Sequence, residues 1–145
     1  MPVTGALIAA MFFTVALLVT KAYFILGSLP LLVLEHDTPL DGRFVRGFFN
    51  TYYLAAIFTA GGAALSYAFA GRPAYAAGAS ALALLAILLR RRIIGKMDAL
   101  REQIQVRGAE AIAGFRRTHV SAILLNLAQL ALIVWSLLGF SVSAA

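Results

Sequence analysis

Lys21 is the residue whose position points most directly to chemistry, because it lies inside the first long apolar stretch of the chain. An ionisable side chain within a membrane span is costly and by default marks a functional site. The alternative is that the long stem of Lys21 carries its ammonium to the membrane surface. The predicted spans contain no Asp or Glu. An inward-facing Lys21 therefore needs neutral dipoles, a bound anion or loss of its proton.

Neutral polar side chains are predicted at a similar depth. His119, Asn126 and Gln129 are spaced by seven and three residues, which puts them on one helical face. Tyr53 enters from the same side on the second predicted helix. With Lys21, these residues form a candidate pocket for the polar head of a hydrophobic ligand. The alternative is hydrogen bonding between helices alone, worth about 1 kcal/mol per contact.

The two histidines suggest a second kind of chemistry. His36 and His119 are predicted on the same membrane side, and Glu35 precedes His36. Imidazole and carboxylate groups are ligands for zinc, iron or manganese. This set is the basis for a hypothetical non-heme iron site, or for a heme held by the two histidines. The alternative is a solvated loop, and no cofactor is favoured.

The elements that position these residues follow from composition. The chain has 145 residues, of which 62% are hydrophobic and 12% charged, and its mean hydropathy is +0.91. Ordinary soluble domains are about one quarter charged, so a soluble enzyme, a disordered chain and a nucleic-acid-binding domain are excluded. A membrane helix needs about 20 apolar residues. We predict one domain, 1–145, with spans at 5–34, 48–70, 74–94 and 120–140.

The distribution of cations predicts the orientation of these spans. The loops after the first and third predicted spans hold ten Lys and Arg residues when Arg90, Arg91 and Arg92, at the end of the third span, are counted with them. The turn after the second span holds only Arg72. Cytoplasmic loops carry the excess of cations. We therefore predict a protein of the bacterial inner membrane with both termini on the periplasmic side and both charged loops in the cytoplasm. Arg90, Arg91, Arg92 and Trp135 are predicted membrane anchors.

Two helices are predicted to continue beyond the membrane. An apolar stripe follows the third span as far as Ile104, and Gly108 is the expected break before the fourth helix. A cytoplasmic hairpin that closes on this stripe explains the pattern. An amphipathic helix lying on the membrane surface is the alternative. Thr38 and Pro39 have the residue types of a helix start, so the second helix is predicted to begin before its span.

Two segments of the second half carry a family resemblance. Residues 115–127, FRRTHVSAILLNL, and 91–100, RRIIGKMDAL, resemble small bacterial four-helix membrane proteins of unknown function. That family is akin to the anthrone-oxygenase-like membrane proteins. The resemblance implies an all-α, antiparallel four-helix bundle, and it singles out Arg92, His119 and Asn126.

These observations predict a non-catalytic membrane protein that holds either a hydrophobic ligand with a polar head, such as a lipid or quinone, or a partner membrane subunit. The alternative is a membrane oxygenase or redox enzyme with a metal or heme bound by His36 and His119. The expected partners are the lipid bilayer, a hydrophobic small molecule, and a membrane subunit or a second copy of the chain. Nucleic acid is not an expected partner.

Overall fold

The computed structural model describes residues 2–35 and 38–143 of the chain. Within these residues the backbone forms four α-helices and no β-strand: α1 (Pro2–Leu31), α2 (Pro39–Phe69), α3 (Pro73–Arg107) and α4 (Ala109–Ser143). Each helix is long and apolar enough to cross a membrane. The predictions of an all-helical fold and of a protein with several membrane spans are confirmed at this level.

The helix ends follow local sequence chemistry. The Thr38 hydroxyl accepts a hydrogen bond from the Asp41 amide at 3.2 Å, so Thr38 caps α2 as predicted. Gly108 separates α3 from α4 with a φ of 50°. The left-handed region favours glycine, which has no Cβ to clash there. The break predicted at Gly108 is therefore confirmed.

The first helix ends before the boundary predicted for its span at Leu34. Its last residue is Leu31, and Pro30 lies in its last turn. The amides of Leu32 and Val33 then bond to carbonyls three residues back, at 3.1 Å each. Such three-residue hydrogen bonds commonly tighten the last turn at the end of an α-helix, and here they close α1 before Leu34.

The four helices pack in a ring, in which α1 contacts α2, α2 contacts α3, α3 contacts α4 and α4 contacts α1. Between α1 and α3, and between α2 and α4, the described residues have no Cα pair within contact range. One large buried cluster includes Leu17, Phe24, Phe49, Met97 and Phe115. The interior is therefore a packed core rather than a wide pore.

The ends of α3 and α4 near Gly108 pack through small and apolar side chains. Ile104, Ala111 and Phe115 are buried. A methyl group on Gly114 would lie 3.0 Å from the Leu100 side chain, so the two helices approach closely here. The apolar stripe on α3 is therefore covered by α4.

Two glycines receive aromatic rings at the interface of α1 and α2. A methyl group on Gly27 would lie 2.7 Å from the Phe48 ring, and one on Gly62 would lie 2.6 Å from the Phe13 ring. Gly27 is on α1 and accepts a ring from α2, whereas Gly62 is on α2 and accepts a ring from α1. The paired contacts fix how far the helices can slide along each other.

The variant Gly62→Ala is expected to lose about 1–3 kcal/mol of unfolding free energy, because its new methyl group would overlap the Phe13 ring. Gly61→Ala is the matched control, since none of the described side chains lies within 4 Å of the added methyl group. The measurement is denaturation in detergent. Equal stability of the two variants would contradict the close contact.

Candidate functional site

The Lys21 side chain faces the interior of the bundle and is 2% exposed. Its ammonium donates hydrogen bonds to Gln129 Oε1 at 2.6 Å, Tyr52 Oη at 3.3 Å and Asn126 Oδ1 at 3.4 Å. An ammonium has three hydrogens to donate, so each has an acceptor. All three acceptors are neutral, and no ion pair of Lys21 occurs among the described residues. The cation is therefore buried with its hydrogen bonds made and its charge uncompensated.

The acceptors of Lys21 are themselves connected. Tyr52 donates to Asn126 Oδ1, and Asn126 Nδ2 donates to the Ala122 carbonyl at 2.8 Å. The network thus joins three helices: α1 supplies Lys21, α2 supplies Tyr52, and α4 supplies the two amides. We call Lys21, Tyr52, Asn126 and Gln129 the polar cluster.

Of the two adjacent tyrosines on α2, the sequence predicts Tyr53 in the pocket, but the structure brings Tyr52 to Lys21. Both rings are buried, and their centroids are 5.0 Å apart. They follow the buried Phe49 by three and four residues, so spacing alone puts both on the inward face. Which of the two tyrosines meets Lys21 depends on how α2 is rotated relative to α1 and α4. The sequence of a single helix does not specify that rotation.

Aromatic packing holds Tyr52 in position. The Phe24 ring stacks on Tyr52 with a centroid distance of 3.9 Å and an interplanar angle of 27°. Phe24 also meets Phe49 edge-on at 4.9 Å. These rings exclude water from one side of the polar cluster, and electrostatic interactions strengthen in such surroundings.

His119 is fully buried on α4, seven residues or about two helical turns before Asn126. Its ring meets Phe49 edge-on at 4.9 Å with an interplanar angle of 84°. His119 therefore lies on the inward face of α4 with Asn126 and Gln129, packed against an aromatic ring in the core.

A groove of about 700 Å³ runs between α1 and α2 on the outer surface of the bundle. Its wall is mainly apolar and includes Val19, Phe44 and Phe48. Arg43 lies along it, and Tyr52 forms part of its wall. Tyr52 therefore belongs both to the outer groove and to the buried polar cluster.

Comparisons with protein-family models, with curated proteins and with solved structures gave no match. The resemblance of residues 91–100 and 115–127 to small four-helix membrane proteins therefore remains a proposal. The chemistry of the site has to be argued from the side chains of this chain.

The proposed metal ligands are not brought together in the part of the chain that the structure describes. Glu35 is exposed in the loop after α1, whereas His119 is in the core. His36 lies outside the described residues. Within residues 2–35 and 38–143, no group of three His, Cys, Asp or Glu side chains is placed to hold a metal ion. The metal or heme enzyme remains a hypothesis from the sequence.

The arginines predicted as membrane anchors differ in their surroundings. Arg90 Nε donates to Asn50 Oδ1 at 3.0 Å, so this guanidinium joins α3 to α2. Arg91 and Arg92 are exposed, and Trp135 is 73% exposed. Their side chains can therefore reach surrounding lipid, which is what the predicted role requires.

A salt bridge that the sequence did not reveal joins the same helices. Arg46 donates to both carboxylate oxygens of Asp98 at 3.0 Å each. Two parallel hydrogen bonds between a guanidinium and a carboxylate fix geometry as well as charge. The salt bridge ties α2 to α3.

Proposed function

We propose that this chain is a non-catalytic membrane protein that binds a hydrophobic molecule with a polar head, such as a lipid or quinone. The proposal rests on the position of Tyr52, which contacts both the groove and the buried polar cluster. Its side chain lines the groove between α1 and α2, and its hydroxyl is bonded to Lys21 and Asn126. A ligand in the groove would place its tail along the apolar wall and its head beside Tyr52.

The donors around Tyr52 indicate what kind of head group would fit. The Lys21 ammonium has no carboxylate partner among the described residues. Gln129 Nε2 is buried, and none of the described atoms accepts its hydrogen bonds. Buried donors without partners are costly. The unpaired donor of Gln129 and the uncompensated charge of Lys21 favour a head with acceptor oxygens, such as a quinone carbonyl or a lipid ester or phosphate.

The size and lining of the groove also support a small hydrophobic ligand. Ligand sites in proteins usually have volumes of roughly 300–1,000 Å³ and walls that are mostly apolar. The groove has a volume of about 700 Å³ and combines apolar side chains with Arg43, Thr51 and Tyr52. Because the groove lies on the outer surface of the bundle, a ligand dissolved in the bilayer can enter the groove laterally.

The membrane placement that accompanies this proposal is an antiparallel four-helix bundle in the bacterial inner membrane. Both termini face the periplasm, and the ends of α3 and α4 near Gly108 form a hairpin in the cytoplasm. The excess of cations in the two long loops supports this orientation. The groove, which includes Leu40 and Arg43, then opens toward the cytoplasmic leaflet.

The test compares two tyrosines that line the same groove. Tyr52→Phe removes the hydroxyl bonded to Lys21, whereas Tyr23→Phe removes the hydroxyl of an exposed tyrosine with no hydrogen bond among the described residues. Native mass spectrometry in mild detergent should show a small hydrophobic molecule bound to the unaltered protein. Retention should fall about tenfold for Tyr52→Phe, as expected for one hydrogen bond to a charged group, and little for Tyr23→Phe.

Two results would overturn the proposal. One is an unaltered protein that carries no small molecule after extraction from its native membrane. The other is equal loss of the molecule from both tyrosine variants, because binding would then not depend on the polar cluster. Retention of a second protein chain in place of a small molecule would assign the surface to a partner membrane subunit or a second copy.

A further inference from the structure

A second recess lies between α4 and the turn that follows α1, and it shares no lining residue with the groove that Tyr52 lines. Its volume is about 620 Å³, and its lining consists of Leu32, Arg116, Arg117, Val120 and Ser121. The lining contains two guanidinium groups, one hydroxyl and no carboxylate. It therefore has a strongly positive polar side and an apolar side formed by Leu32 and Val120.

One of the two arginines is held in place by the backbone. Arg116 Nη2 donates to the Leu32 carbonyl at 3.0 Å, just beyond the end of α1. That contact leaves the other guanidinium hydrogens of Arg116 available. Arg117 forms no ion pair among the described residues, although Glu110 lines an adjoining recess beside it. Both guanidiniums therefore have donors to offer to an anion.

Ser121 adds a third polar group to the recess. It follows Arg117 by four residues on α4, so the two side chains are neighbours on one helical face. Guanidinium groups bind phosphate through paired hydrogen bonds, and hydroxyls add further ones. The arrangement has the chemistry of a phosphate-binding site.

With the fourth span predicted at 120–140, Arg116 and Arg117 lie just outside the apolar core of the membrane, at the depth of lipid phosphates. Arg116, Val120, Leu124 and Leu127 follow one another on one face of α4, with spacings of four, four and three residues. Val120, Leu124 and Leu127 are 41%, 59% and 50% exposed. The two arginines therefore lie at one end of an exposed apolar strip on α4, along which an acyl chain can pack.

We infer that this recess binds an anionic phospholipid of the surrounding bilayer. The phosphate lies between Arg116 and Arg117 with Ser121 beside it, and an acyl chain follows Val120 and Leu124. This site is separate from the groove between α1 and α2, and the inference does not depend on the proposed function.

The experiment measures lipid selectivity. The full-length protein is reconstituted in vesicles of phosphatidylglycerol and phosphatidylcholine with identical acyl chains, and bound lipids are counted by native mass spectrometry. The unaltered protein should retain phosphatidylglycerol in preference. The double variant Arg116→Gln/Arg117→Gln should reduce that preference about tenfold, given the attraction of each basic residue to an anionic surface.

The matched control is Arg72→Gln/Lys96→Gln, which removes two exposed cations outside the recess and leaves its lining intact. It should keep most of the preference. Arg117→Gln alone preserves the bond from Arg116 to Leu32 and so tests the site if the double variant misfolds. It should reduce the preference several-fold.

The inference is overturned if the unaltered protein retains the two lipids equally, or if Arg72→Gln/Lys96→Gln loses as much preference as Arg116→Gln/Arg117→Gln. The second result would show that any pair of surface cations suffices. An unchanged preference in Arg117→Gln would also overturn it.

Discussion

The variant Asn126→Leu is expected to lose about 3–5 kcal/mol of unfolding free energy, the effect of removing one partner from a buried charge. Asn126 Oδ1 accepts from both Lys21 and Tyr52, and its Nδ2 donates to the Ala122 carbonyl. Leucine has nearly the same shape but offers no acceptor. The Lys21 ammonium and the Tyr52 hydroxyl would stay buried with fewer partners. Denaturation in detergent, followed by circular dichroism, measures the loss.

The matched control for Asn126 is Asn50→Leu. Asn50 is half-buried and accepts one hydrogen bond from Arg90, whose guanidinium can turn to water when that acceptor is removed. We expect the unfolding free energy to fall by about 1 kcal/mol or less, since the Arg90 donor that loses its partner is not buried in the core. Equal losses of unfolding free energy in the two variants would show that the hydrogen bonds of the polar cluster stabilise the protein no more than the bond between Asn50 and Arg90.

Lys21→Met is expected to change stability in the opposite direction, raising the unfolding free energy by about 1–2 kcal/mol. Burying an ammonium without a counter-charge costs several kcal/mol, and apolar replacement of buried ions is often stabilising. The opposing cost is smaller, because Gln129 Oε1 loses its donor whereas Asn126 keeps the bond from Tyr52. Thermal melting in detergent gives the sign.

If Lys21→Met raises stability and the variant no longer retains the bound molecule, then Lys21 serves binding at a cost in stability. The control is Lys96→Met, which replaces an exposed lysine and should change stability by no more than about 0.5 kcal/mol. The double variant Lys21→Met/Asn126→Leu should recover most of the loss from Asn126→Leu, because it removes the charge together with its acceptor. Additive losses in the double variant would contradict the proposed coupling.

Much of the fold could be predicted because it follows from hydropathy and from local helix signals. Thr38 and Gly108 mark helix ends through their own side-chain chemistry and backbone conformation. Lys21, Asn126 and Gln129 could be grouped from spacing and depth. Their mutual hydrogen bonds could not, since these depend on how α1 and α4 are rotated about their axes.

The features that escaped prediction all lie between elements that are distant in sequence. The Arg46–Asp98 salt bridge joins residues on α2 and α3. In the sequence, neither residue differs from an ordinary surface charge. The choice of Tyr52 over Tyr53, and the groove that Tyr52 lines, depend on the same relative placement of helices. No periodicity within a single helix specifies that placement.

The hydrogen bonds of Lys21 join the first helix of the chain to the last one. A ribosome makes α1 and α2 well before α4, so the nascent chain holds Lys21 with Tyr52 as the only one of its three acceptors. A cation with so few partners inside a membrane is costly. The arrival of α4 lowers that cost by supplying the other two acceptors. Incomplete chains therefore differ chemically from finished ones, and a membrane protease that recognises unsatisfied polar groups could tell them apart.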